Sequence, residues 1–308
     1  MSEGEKLSAT TGNRSSLFRS LQILTLSLSL CVFTTLVGQG KATAAAQDVF
    51  IPIKQKLAKD GLAGADIRLF EQSRPAVLLT TVSQTLRMRE SKLNYAQFLD
   101  PPSISKAREF RRIYGPILSQ AEAGYGVDHR VIVAILLVET RFGSYTGKTP
   151  TLDILATFAL MDDKNYRDKI WKLLPAQDKK RWEREAFDRK LTDRSKWAYG
   201  ELRALLQLAG AQTVRIDSCR GSVMGAIGWP QFLPSSLVRY GVDANKDGRI
   251  DLFDPADAIF SVANYLKGYG WKESSSRAGK EEVIYAYNHS RPYVEAILGV
   301  AEKLKEND

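Results

Sequence analysis

The chain has 308 residues with 44% hydrophobic and 26% charged side chains, enough to enclose a large core and too apolar on average for wholesale disorder. A formal net charge of +9 favours an acidic partner, but no basic helix interleaved with aromatics supports nucleic acid. With two histidines and two cysteines, neither a clustered zinc site nor a disulfide within the mature chain is expected.

Residues 1–46 read as a secretory leader. Arg14 and Arg19 precede an apolar run over 21–37, and Ala44, Ala45 and Ala46 offer a small-residue cleavage site. The run is short and diluted by Ser and Thr, so it is read as a signal peptide in preference to a membrane span, and Cys31 would leave with it. Export leaves Cys219 as the lone cysteine.

Residues 47–125 have a helical pattern. Apolar spacing predicts a helix over 65–88, broken at Pro75, and another from Ser105 or Lys106 to Ala123 with Phe110, Ile113, Ile117 and Leu118 on one face. Gly124 and Gly126 end it. Asp128 is a candidate N-cap for the next helix, in which residues 131–138 are all apolar. That helix is expected to be buried on every side. Glu139 follows at the edge of this core, where desolvation disfavours a carboxylate and raises its pKa. A carboxylic acid kept protonated near neutral pH can protonate a leaving oxygen. The competing reading is a structural ion pair with Arg141.

Residues 151–217 continue as helices, including a segment over 179–190 dense in both charges and an amphipathic one over 195–209. Residues 221–236 form a second dense motif. Its glycines let backbone pass close to a ligand, while Ser222 and Gln231 supply polar groups; the alternative is a Gly-rich turn capping a short helix over 235–240.

Asp243, Asn245 and Asp247 then fall at positions one, three and five of an EF-hand-like loop, with Gly248 at six, the Arg249 carbonyl at seven and Asp251 at nine. Position twelve is Asp254 in place of the usual Glu. Helices are expected over 255–269 and 294–304, with a polar linker over 272–280 between them.

Glu139-Thr140-Arg141-Phe142-Gly143 and the segment from Gly221 to Ser236 together resemble the lytic murein transglycosylases of the membrane-bound lytic transglycosylase B type, in the lysozyme-like superfamily. Ile227 and Leu233 stand where that family carries Met. The resemblance runs from about residue 51 to the C-terminus. It implies a mainly α fold: a lysozyme-like core at 126–150 and 218–308, and a helical lobe at 151–217 packed with the N-terminal segment 47–125. The family's small β-lobe is largely missing from 272–280. It further implies Glu139 as catalytic acid and base, and Ser222, Gln231, Tyr265, Tyr287, Asn288 and Tyr293 as substrate-binding residues. A structural calcium ion would be held by Asp243, Asn245, Asp247, Arg249 and Asp257, with Asp257 preferred over Asp254 because the family's loop is longer.

The implied activity is cleavage of peptidoglycan strands between N-acetylmuramic acid and N-acetylglucosamine with a 1,6-anhydromuramoyl product. The implied location is the periplasm, and the protein is expected to act as a monomer beside proteins of cell-wall synthesis or remodelling. A water-using muramidase and an inactive cell-wall-binding protein are the rivals. Preference for peptide-bearing or bare glycan stays open.

Overall fold

The computed structural model describes residues 48–88 and 94–306. The leader and Cys31 lie outside the described residues. Thirteen α-helices make up most of what is described: α1 (Ile51–Lys59), α2 (Gly64–Ser73), α3 (Leu79–Thr85), α4 (Pro101–Tyr125), α5 (His129–Thr140), α6 (Thr151–Ala159), α7 (Lys164–Leu173), α8 (Ala176–Lys179), α9 (Arg184–Gly210), α10 (Pro234–Tyr240), α11 (Pro255–Gly268), α12 (Arg277–Tyr287) and α13 (Arg291–Lys305). Among the described residues, none of these is long and apolar enough to cross a membrane.

The expected helix over 65–88 is two helices, as Pro75 required. Arg74 ends α2 in the left-handed conformation at φ 44°, and α3 resumes at Leu79. The start of α4 lies earlier than expected, because prolines fit a first helical turn whose N–H groups have no partner anyway. Its predicted apolar face needs correction: Phe110 and Leu118 are buried, but Ile113 is 53% exposed. Pro116 removes a backbone donor, and Tyr114 leaves helical geometry at φ −104°, ψ 16°. Ile113 lies before that kink, where the buried stripe runs through Ser103, Ile104, Ala107 and Phe110, and helical spacing carries it off the stripe's edge. Gly126 closes α4 at φ 67°.

Two apolar clusters organise the described chain. One joins α4, α5 and α10–α13 around α5; the other joins α1–α3, α6, α7 and α9. Residues 95–125 thus pack with α5, whereas α1–α3 pack against the helices that follow residue 150. Sheet structure is minimal: β1 (Thr149–Pro150) pairs antiparallel with β2 (Arg220–Gly221) in the register Thr149↔Gly221. Small as it is, this ladder ties the segment after Glu139 to the segment before Ser222.

The clusters are also stapled by a buried acid. Glu201 of α9, only 6% exposed, accepts hydrogen bonds from the Ser235 N–H at 2.9 Å and its hydroxyl at 2.8 Å, so α9 holds the first turn of α10. A helix in isolation shows no sign of this pairing, and sequence reasoning missed it.

Candidate active site

Helix α5 forms because its whole surface can be buried. A helix of 12 residues is marginal by itself, so packing must hold it. Asp128 caps it by accepting from the Arg130 N–H, and every residue from Val131 to Leu137 is buried. Glu139, in the last turn, is the first charged side chain after this run and is half-buried.

The chain leaves α5 through three consecutive left-handed residues: Arg141 (φ 49°), Phe142 (φ 58°) and Gly143 (φ 79°). For the two non-glycines this costs roughly 1–2 kcal/mol each, and it persists because the neighbours fix it. Phe142 stacks on Phe110 with centroids 4.2 Å apart. Arg141 donates to the Gln97 side-chain oxygen at 2.6 Å and lies over Phe98, so its guanidinium has partners on the 95–99 turn. The Thr140 hydroxyl, buried, donates to the Trp229 carbonyl at 2.9 Å and accepts from the Gly143 N–H at 3.0 Å. A Cβ on Gly143 would lie 2.1 Å from Trp229 Nε1, so the close approach of the two motifs requires glycine there.

The second motif is a tight double turn, with bridges Gly221↔Ile227 and Ile227↔Phe232. The Ser222 hydroxyl oxygen accepts from the N–H groups of Met224 (3.2 Å) and Ala226 (3.1 Å), which leaves its proton to donate outward. Gln231, left-handed at φ 52°, donates to the carbonyls of Thr146 (3.2 Å) and Gly228 (2.8 Å). Its amide thereby pins this loop to the one after Glu139.

Helices α12 and α13 complete the site. The Tyr293 hydroxyl donates to Glu139 Oε1 at 2.7 Å, and the Tyr287 hydroxyl donates to the Pro230 carbonyl at 2.6 Å. The two rings are nearly parallel, 11° apart with centroids at 6.4 Å. Burial and then the Glu139 charge push both phenols well above their ordinary range, so they remain donors. Tyr293 is 1% exposed: it backs the acid and is enclosed by Tyr95, which meets it edge-on at 5.8 Å and which the sequence reading did not single out. Tyr265 is also buried, with its hydroxyl on the Ala286 carbonyl at 2.9 Å and its ring among Phe232, Tyr269 and Tyr287. It supports the wall from behind. Asn288 ends α12 in extended geometry and is half-buried.

The acidic loop folds on its own oxygens. Asp243 accepts from the N–H groups of Asp247 (3.2 Å) and Gly248 (2.9 Å), Asn245 from Asp247 (3.0 Å), and Asp247 from Arg249 (2.9 Å). Gly248 turns at φ 86°. Asp257, fully buried, spans the loop by accepting from the Ala244 N–H and the Asp251 N–H, each at 2.8 Å. Asp254 instead caps α11 through the N–H groups of Ala256 and Asp257. The inward-turned, hard oxygens fit a calcium ion in type, although Asp243, Asp247 and Asp257 are not gathered as closely as a compact cage. Among the described residues, the ligand-type atoms that do lie within 4.8 Å of one another belong to Glu122, Asp128 and His129. The sequence placed His129 outside any cluster; the turn between α4 and α5 brings it within 2.6 Å of Glu122. Asp128 is already taken by the Arg130 guanidinium and by the α5 cap.

Residues 46–281 match the transglycosylase SLT domain family. The chain belongs to that family. It is 34% identical over 206 residues to the membrane-bound lytic murein transglycosylase B of Escherichia coli (strain K12), a match covering 67% of this chain and 48% of the relative. The chain thus spans about half the length of that curated relative. The fold resembles the crystal structure of the soluble lytic transglycosylase SltB1 from Pseudomonas aeruginosa, with a TM-score of 0.67 at 25% identity, over 83% of this chain and 97% of that one. It also resembles the Escherichia coli lytic transglycosylase Slt35 solved in complex with calcium, with a TM-score of 0.64 at 23% identity, over 83% and 92% of the two chains. The mainly α, lysozyme-like fold expected from the two motifs is the fold observed.

Proposed function

We propose that this family member is a lytic transglycosylase that cleaves the β-1,4 bond between N-acetylmuramic acid and N-acetylglucosamine in peptidoglycan, leaving a 1,6-anhydromuramoyl end. The observation that carries the reading is the setting of Glu139. It is half-buried, held by the Tyr293 hydroxyl and flanked by two interlocked loops that carry unspent polar groups. Its charge helps to hold the phenols of both Tyr287 and Tyr293 above their ordinary range. Most glycosidases need a second carboxylate; substrate-assisted ones replace it with the acetamido group of the sugar.

In the first step, protonated Glu139 donates to the glycosidic oxygen as the C1–O bond breaks, and the acetamido oxygen stabilises the positive charge at C1. The Ser222 hydroxyl and Asn288 orient that acetamido group. In the second step, the Glu139 carboxylate takes the proton from the muramoyl C6 hydroxyl, and O6 bonds to C1. The acid is regenerated and no water is consumed. Tyr293 holds Glu139 in place, Gln231 and Tyr287 shape the glycan-facing wall, and Tyr265 buttresses Tyr287.

Asp243, Asn245, Asp247, the Arg249 carbonyl and Asp257 would hold a calcium ion, whose charge would brace the loop without entering the chemistry. The reading places the exported protein in the periplasm, as a monomer acting on glycan strands near proteins that remodel the wall. Glu139→Gln tests it: lysis of purified murein should vanish while the circular dichroism spectrum and melting temperature hold. Mass spectrometry of the wild-type digest should show muropeptides lighter by one water than those a muramidase releases. Retained lysis in the variant overturns the assignment.

A further inference from the structure

A cavity of about 370 Å³ lies away from Glu139, between the end of α9 and the acidic loop. That volume is in the range of small-ligand sites, roughly 300–1,000 Å³. Three arginines are among the residues round it, Arg215, Arg220 and Arg249, all of them exposed. Among the described residues none of the three has a hydrogen bond or ion pair from its side chain, whereas Arg130, Arg184 and Arg291 each hold a carboxylate. The acid on the wall is Asp251, whose Oδ1 accepts from the Phe253 N–H at 2.9 Å, and Asp153 acts on Arg220 from farther off. Positive charge is therefore in excess, and three like charges round one cavity call for an anion. The buried apolar part of the wall is aliphatic, from Ile227, Leu237 and Leu252, each 2% exposed or less, and the exposed ring of Phe253 stands beside them. Phe253 is the one aromatic on this wall, in contrast to the tyrosine-rich surroundings of Glu139, so the cavity offers sugar rings a single face without a hydroxyl. Cys219 also faces it, but burial pushes its thiol up and leaves it a wall group, not a nucleophile.

The planar guanidinium fork matches a carboxylate in two parallel hydrogen bonds. We propose that this cavity is a second binding site, for a short acidic peptide whose carboxylates engage Arg215, Arg220 and Arg249 while its small apolar side chains rest on Ile227, Leu237 and Leu252. The site shares a wall with the candidate active site. Arg220 immediately precedes the Gly221-Ser222 pair, and the Leu252 carbonyl accepts from the Trp229 N–H at 2.9 Å. Occupancy thereby bears on the loop that presents Ser222 and Gln231. Resting on the murein reading, such a peptide is the one carried by the muramoyl units, so the site selects peptide-bearing strands; a free peptide is the other source.

Isothermal titration of the full chain with acetyl-Ala-Glu-Ala, against the same peptide with its carboxylates amidated, tests the proposal. The acidic peptide should bind and the amidated one should not. The double variant Arg215→Gln/Arg220→Gln, both sites exposed, should bind at least about tenfold more weakly at unchanged helicity. Glu139→Gln should bind as the wild type does, so that loss of lysis and loss of peptide binding are read separately. If the ligand is the substrate's peptide, the double variant loses lysis on peptide-bearing murein and keeps it on peptide-stripped murein; if it is a free peptide, both rates hold. Equal affinity for the acidic and amidated peptides, or for wild type and double variant, overturns the proposal. The comparison of the two peptides on the wild type decides it even if the variant misfolds.

Discussion

Glu139 and Asp257 are both acids at helix ends beside glycine-bearing loops, and their surroundings differ in kind. Glu139 sits in the last turn of α5, where the helix dipole opposes its charge, and its Oε1 accepts from the Tyr293 hydroxyl. Asp257 sits in the first turn of α11, where the dipole favours an anion, and both of its oxygens accept from backbone N–H groups. Burial still pushes the Asp257 carboxyl up, against those hydrogen bonds. The first acid is left half-buried; the second is shut in and ties two stretches of chain together. The contrast teaches that one residue type takes its character from the helix end and the degree of burial at which the fold holds it.

The largest effect should come from the backbone that sets up the Glu139 side. At Gly147, φ is +91° and a Cβ would lie 2.1 Å from the Gly221 carbonyl oxygen. Gly147→Ala should lower stability by about 3 kcal/mol or more in urea unfolding, and lysis should fall with it as the two loops separate. On the other side, Asp257→Ala leaves the Ala244 and Asp251 N–H groups without their acceptor. It should cost about 3 kcal/mol by the same measurement, and added calcium, which should raise the melting temperature of the wild type, should leave that of the variant unchanged. Were Asp257→Ala instead to abolish lysis at full stability, the division between the two acids would fail.

Tyr293→Phe bears on the reactive side alone. One hydrogen bond to a charged group is worth about 1.5–3 kcal/mol, so kcat should drop roughly tenfold to a hundredfold with KM nearly unchanged. An unchanged kcat would show that Glu139 does not depend on Tyr293.

Much of this arrangement was legible beforehand, and the failures have physical causes. Asp128, Gly126 and the unbroken apolar run of α5 announce themselves because caps, left-handed glycines and full burial are local properties. The two motifs meet where Gly143 faces Trp229, and Gly147, just past the first motif, faces Gly221. Ile113 misled because helical spacing carries it off the stripe of Ser103, Ile104, Ala107 and Phe110 that the turns before the kink bury. Tyr265 and Tyr293 read as groove residues, but periodicity cannot tell a ring facing a ligand from one packed behind it. Glu201, Tyr95 and the approach of His129 to Glu122 depend on chain segments that only the tertiary fold brings together.

The smallest effect divides the acidic loop itself. Position twelve of an EF-hand supplies a metal ligand, and Asp254 holds that position; yet its oxygen is spent on the Ala256 N–H at 2.8 Å and the Asp257 N–H at 3.2 Å. Asp257, three residues on, is the acid that reaches back to Ala244 within the loop. Asp254→Ala should therefore cost only the worth of a helix cap, about 1 kcal/mol, and keep the calcium-induced rise in melting temperature that Asp257→Ala loses. If Asp254→Ala loses the calcium response and Asp257→Ala retains it, the loop closes at its usual twelfth position. Asp257 would then be a brace that works without metal.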